Sequence, residues 1–231
     1  GEDTLSLHDA LPILPNSPWS VVVDRGTRAL LIVAGIATLA WGWDLDLFEF
    51  ARQDTPTMRF VRGAIDSSVP VDVRKGIALH RAIDSYTDQH PEVRSLKAAF
   101  EPPYRRYAGI LIDIWFDHLL ARDFSRWSPT PLAQFSDGVT QLLRQHDDEL
   151  PEALRRLSRY LHARHLPAAY AEREMISEVL SGVGSRLQRS NPLARGLLEI
   201  SRLEDELAQT FEAFFPQLVE FSQDWREDYR A

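Results

Sequence analysis

The chain has 231 residues, 44% of them apolar and 26% charged, and its net charge is −8. This suits one folded domain with an appendage and excludes a disordered or fibrous chain. With no cysteine, disulfide scaffolds, thiolate metal centres and cysteine nucleophiles are excluded, and any metal is left to histidine, aspartate and glutamate.

The charge is uneven. Residues 1–57 carry eight acidic and three basic side chains, whereas the remaining 174 carry 26 and 23. The bulk of the chain is nearly balanced, which gives no general nucleic-acid footprint. The longest uncharged run, Ala29 to Trp43, has 15 residues. It is short of the roughly 20 that a membrane-spanning helix needs.

At the N-terminus, Thr4 to Ile13 reads TLSLHDALPI. These ten residues are the in-order translation of a common sequencing-library adapter, ACT CTT TCC CTA CAC GAC GCT CTT CCG ATC. His8 and Asp9 are therefore assigned no chemistry. Leu14 to Thr57 shows no amphipathic period and ends in the turn-like DTPT. Residues 1–57 are read as an appendage of unreliable meaning, and 58–231 as the functional domain, with a bundle over 58–222.

From Met58 onward apolar residues recur at spacings of three and four, and prolines mark the helix starts. Pro70 precedes a segment with Val73, Ile77 and Ile83, and Pro91 opens one with Val93, Leu96 and Phe100. After Pro102–Pro103, the spacing predicts an unbroken helix from Tyr104 to Phe124. Thr130 is expected as an N-cap before Pro131, leading into Leu132, Phe135, Val139, Leu142 and Leu143. Pro151 starts a helix with Leu154, Leu157 and Leu161, and 168–189 forms another. In that helix Gly182 and Gly184 leave room for a close neighbour. Asn191–Pro192 caps a last long helix that Pro216 should kink or end. The prediction is an all-α single bundle of about seven helices.

Two clusters carry candidate chemistry. In Leu79 to Pro91 (LHRAIDSYTDQHP), His80, Asp84 and Asp88 are four apart and share one helix face. In Asp113 to Phe124 (DIWFDHLLARDF), Asp113 and Asp117 interrupt a strongly apolar helix, and His118 follows directly. A carboxylate in such surroundings needs a partner, because an unpaired buried charge is costly. Histidine with carboxylates suits a hard or borderline cation. The alternative is a packed helix whose polar stripe meets a salt-bridge partner such as Arg81.

These residues bring a resemblance into view. Phe60 to Gly63 (FVRG), Gly76–Ile77, HRAIDSYTDQHPEVR, Arg105–Arg106 and DIWFDHLLAR together resemble the acyl-carrier-protein phosphodiesterase family, in order from about Phe60 to about Phe221. The resemblance implies an all-α bundle distantly similar to HD-type phosphohydrolases. It implies a cytoplasmic, metal-dependent hydrolase of fatty acid metabolism that removes 4′-phosphopantetheine from holo-acyl carrier protein. Its cofactor would be a divalent cation, Mn or Mg, with neither nucleic acid nor membrane as partner. Carried over residue by residue, it points to His80, Asp84 and Asp88 in the first motif and to Asp113, Asp117 and His118 in the second; among these we assign His80, Asp117 and His118 as metal ligands and Asp84, Asp88 and Asp113 as catalytic carboxylates. Arg81, Arg105 and Arg106 are the expected phosphate-binding residues.

Two departures accompany the resemblance. Arg59 stands where the family has aspartate before Phe-Val-Arg/Lys-Gly, and no histidine lies between His8 and His80. Both fall in the family's catalytic region. Two other readings are weighed against this one. An HD-like nucleotide phosphohydrolase would need base-stacking aromatics beside the metal. A non-catalytic helical module would dock an acidic carrier protein on Arg155, Arg156, Arg159 and Arg164.

Overall fold

The computed structural model describes residues 71–145, 147, 152–187 and 190–228. The appendage 1–57, the FVRG segment and Arg59 lie outside the described residues. Those described form eight α-helices with short 3-10 turns and no strand. The helices are α1 (Val71–Gln89), α2 (Pro91–Ala99), α3 (Ala108–Arg122), α4 (Leu132–Gln145), α5 (Glu152–Ala163), α6 (Arg173–Arg186), α7 (Gly196–Arg202) and α8 (Glu204–Asp228).

The all-α expectation holds, and the element ends show how local chemistry sets them. His90 is extended (φ −62°, ψ 129°) between α1 and α2, as a residue before proline prefers. Pro91 then occupies the first helical position, where a missing amide costs nothing. The predicted helix from Tyr104 is split: Arg105–Tyr107 forms a 3-10 turn before α3. α4 starts one residue later than expected, with Pro131 O accepting its first bond, from Phe135 N at 3.0 Å. The segment expected as one helix over 168–189 divides into a 3-10 turn at Ala168–Ala171 and α6.

The last predicted helix also divides, for a tertiary reason. Asn191 Nδ2 donates to Gly184 O at 2.8 Å, and Asn191 Oδ1 accepts from Leu193 N at 3.1 Å. That clamp holds a 3-10 turn over Leu193–Arg195 against α6. A side chain at Gly184 would lie 2.8 Å from Asn191 Oδ1, so glycine is required for the approach, whereas Gly182 faces open space. At Gly196 a Cβ would come within 2.7 Å of Leu111 Cδ2 on α3. The chain turns again at Leu203, whose amide is shared between Glu199 O and Ile200 O.

Pro216 does not end α8; the helix runs through it to Asp228. Pro216 and Glu212, whose carbonyl loses its donor, are both exposed, so water can replace the missing bond. Buried Phe211, Phe214 and Phe215 hold the other face. Phe211 stacks on Phe215, and both take Trp127 edge-on.

α3 is the centre of the bundle. It packs against α2, α6, α7, α8 and the 168–171 turn, and buries Leu111, Ile112, Ile114, Trp115 and Leu119. Each such side chain, fully buried, contributes about 1.5–3 kcal/mol of hydrophobic free energy. α1 and α2 both lie on α8, and α2 also meets the start of α3. This brings the two sequence clusters, one on α1 and one on α3, to the same end of the bundle.

Candidate functional site

Gly109, Asp113 and Asp117 succeed one another at intervals of four on α3. They drift only about 40° per step and so form one row along the helix. Asp113 and Asp117 are partly buried as whole residues, but the carboxyl ends point inward. Asp117 Oδ2 is sealed from solvent and has no hydrogen-bond partner among the described residues. Burial, and then the charge of Asp113, raise the Asp117 carboxyl well above the usual carboxylate range. Asp113 is pushed up to about 7, first by burial; Lys97 opposes this and Asp84 and Asp88 add to it. The Tyr170 hydroxyl is raised well above its usual value by burial and then by Asp117, which places Tyr170 beside the inner end of the row.

His118 leaves α3 about 100° round from Asp117. Its ring is buried against Trp115, with centroids 4.5 Å apart. Nδ1 lies 2.8 Å from Tyr170 O. A carbonyl only accepts, so Nδ1 carries the proton and Nε2 keeps its lone pair. Burial lowers the His118 pKa against the opposing pull of the Tyr170 carbonyl, which favours this neutral form. A ring nitrogen fixed by a backbone carbonyl while the other stays basic is the usual state of a metal-binding histidine.

The first motif supplies the outer part of the site. Asp84 and Asp88, both exposed on α1, act electrostatically on Asp113 from across the bundle end. Asp88 Oδ1 accepts from Lys97 Nζ at 2.7 Å. His80 belongs to α1, but its side chain lies outside the described ones. Arg81 is partly buried on the same helix. Among the described residues, no three histidines or acidic residues already form a metal-holding group.

The arginines distribute differently from the sequence expectation. Arg105 is occupied in closing α2: Nε donates to Phe100 O at 2.8 Å and Nη2 to Ala98 O at 2.7 Å. Arg106 is exposed in the adjoining 3-10 turn. The cation that acts on Asp113 is instead Lys97, which the sequence reading did not single out. One signal pointed to it: of 26 basic residues only Lys75 and Lys97 are lysines. Tyr170 was likewise missed, since nothing in the sequence links it to α3.

Several charges elsewhere are paired. Arg173 binds Glu204 through both Nη atoms (2.8 and 3.1 Å), reaches Ser201 at 2.8 Å, and lies over the Trp115 ring at 5.1 Å. Glu199 accepts from Arg202 and from Glu101 N at 2.8 Å, while Arg202 Nη2 also caps Ala99 O at 2.9 Å. On and after α5, Arg159 is exposed, Arg155 partly buried, and Arg164 pairs with Glu178 at 2.8 Å. The side chain of Arg156 lies outside those described.

Among the described residues, this all-α bundle buries the carboxyl groups of Asp113 and Asp117 on α3, with Asp117 Oδ2 unpartnered, as an active site held in a helical core does. Comparison with known proteins makes the assignment specific. The family profile described as "Acyl carrier protein phosphodiesterase" matches residues 57–218. A protein of that name from a strain of Escherichia coli is 34% identical over 162 residues, covering 70% of this chain and 84% of its own length. Another, from Enterobacter sp. (strain 638), is 34% identical over 161 residues, covering 69% and 83%. No solved structure matches the chain. The chain belongs to the acyl carrier protein phosphodiesterase family.

Proposed function

We propose that this protein hydrolyses the phosphodiester of holo-acyl carrier protein, releasing 4′-phosphopantetheine and leaving the apo form, with a divalent cation, Mn or Mg, at the inner end of the α3 row. The observation that carries the reading is Asp117 Oδ2, a sealed acceptor with no partner among the described residues. Such an atom costs about 1–3 kcal/mol when left unpaired, more when charged, and a bound cation removes that cost. Asp113, whose charge acts on Asp117, and a neutral histidine are donors of the kinds that suit a hard or borderline ion. Asp117, His118 and His80 would hold it. When bound, the cation supplies charge neutralisation and a more acidic water.

The remaining chemistry falls to the chain's own groups. Asp113, the next carboxylate along the row, can take a proton from the attacking water. Water adds its oxygen to phosphorus, the bond from phosphorus to the carrier's serine oxygen breaks, and that oxygen regains a proton. Asp88 holds Lys97, whose charge acts on Asp113 against those of Asp84 and Asp88. Among the described residues no helix is long and apolar enough to cross a membrane; the carrier-protein substrate is what supports a cytoplasmic place.

The nucleotide alternative loses its stacking groups. Trp115 is fully buried, and Phe116 packs on Phe211 and Phe214. The reading is tested by incubating the protein with holo-acyl carrier protein and Mn and weighing the products. A mass loss of one phosphopantetheine, abolished in Asp117→Asn, supports it. Unchanged carrier protein alongside hydrolysis of a nucleotide contradicts it.

A further inference from the structure

We infer that Lys97, at the outer end of the α3 row, is the side chain that receives the substrate's phosphate. The inference rests on the phosphodiesterase reading for its substrate, but on geometry for its site. Lys97 belongs to the last turn of α2, and its stem crosses Gly109. A Cβ built at Gly109 would lie 3.8 Å from Lys97 Cε and 4.0 Å from Nζ. The ammonium is thus at the first position of the row whose third position is the sealed Asp117 Oδ2. Four residues of α-helix rise about 6 Å. A phosphate between Lys97 and a cation near Asp113 and Asp117 would bridge that interval.

Charge points the same way. Asp84, Asp88 and Asp113 are all close enough to influence one another, and that surface repels an anion. Lys97 is the cationic group that offsets them at Asp113. Its tether to Asp88 is exposed, at 32% and 69% for the two side chains. An ion pair of that kind is weak and readily exchanged. An ammonium with three donors can keep Asp88 on one and offer the others to phosphate oxygens. Arg105, the expected phosphate ligand, is tethered through Nε and Nη2 to backbone carbonyls of α2 and its C-cap. Asp88 is then a positioning residue for Lys97.

The test uses the full chain with Mn present and inorganic phosphate as the probe. With only two lysines, amine acetylation mapped by mass spectrometry reads Lys97 directly, with Lys75 as the internal reference. Phosphate should slow acetylation of Lys97 relative to Lys75 by about tenfold, since charged hydrogen bonds to phosphate oxygens tie up the amine. Lys97→Met should weaken phosphate binding by roughly tenfold or more, as loss of a charged hydrogen bond does, while Lys97→Arg stays within about threefold. Equal acetylation with and without phosphate, or Lys97→Met binding phosphate as tightly as the parent, would overturn the inference. Protection of Lys97 without any cleavage of holo-acyl carrier protein would uphold the phosphate site and sink the substrate reading. Cleavage at equal rates by the parent and Lys97→Met would do the reverse.

Discussion

α3 and α5 are the two helices on which the sequence concentrates unusual charge, and they treat it in opposite ways. On α5, Arg159 is exposed and Arg155 partly buried, and Arg164, just beyond the helix end, pairs with Glu178. The aspartates of α3 point inward, and one of their oxygens has no partner among the described residues. Exposed charge is inexpensive and uninformative. Buried unpaired charge is expensive, so its persistence marks a site whose partner arrives from outside.

The largest effect should come from restoring the family's N-terminal features. Arg59→Asp, together with a family-type N-terminal helix in place of 1–57, should accelerate phosphopantetheine release by about a hundredfold or more. If position 59 borders the cation, an arginine there costs ~4 kcal/mol at ~4 Å with an effective dielectric near 20, and each ~1.4 kcal/mol is tenfold in rate. Equal rates would show that the N-terminal departures lie away from the active site.

A smaller effect is expected on metal-free stability. Asp113 titrates near 7 in the folded chain against 3.8 for the free side chain. Between those values the folded state binds more protons than the unfolded, so stability is greatest below about pH 4 for this group and falls as pH rises toward 7. Asp113→Asn should therefore stabilise the metal-free protein at pH 7.5 by a few kcal/mol, at about 1.4 kcal/mol per pKa unit, and change little at pH 4. Urea denaturation at the two values checks this. A destabilised variant at pH 7.5 would mean that the carboxylate already has a partner.

Arg202→Ala should cost about 1–3 kcal/mol by leaving buried Glu199 without its charged donor. Arg202 holds the Glu199 pKa below its usual value. That stabilisation is present at neutral pH and lost as pH falls through the carboxylate range, so the variant should approach the parent in acid. The smallest effect belongs to α5: Arg159→Ala should change stability by less than about 0.5 kcal/mol and leave cleavage of holo-acyl carrier protein within about twofold. A larger loss of cleavage, with the Michaelis constant raised, would make that face a docking surface and break the contrast with α3.

The bundle was legible because apolar residues at spacings of three and four dominate 104–124 and 193–218, and prolines at 91 and 131 announce starts. The break at Leu203 was not legible. It depends on Asn191 reaching Gly184 and on Gly196 meeting Leu111, contacts between residues distant in sequence. Pro216 misled for a similar reason, since burial of Phe211, Phe214 and Phe215 outweighs one lost hydrogen bond. Asp113 and Asp117 were legible because charge stands out in an apolar run. Lys97 was not, because its place depends on α2 crossing α3 at Gly109. Arg105 looked like a phosphate ligand because sequence does not show which carbonyls a helix end leaves open.

The most direct test of the central claim is a calorimetric titration of the full chain with Mn at pH 7.5, beside Asp117→Asn. If the α3 row is a cation site, the parent binds the ion and is stabilised by it against unfolding, while Asp117→Asn loses at least about tenfold in affinity. Identical binding by the two proteins, or no binding by the parent, would contradict the account.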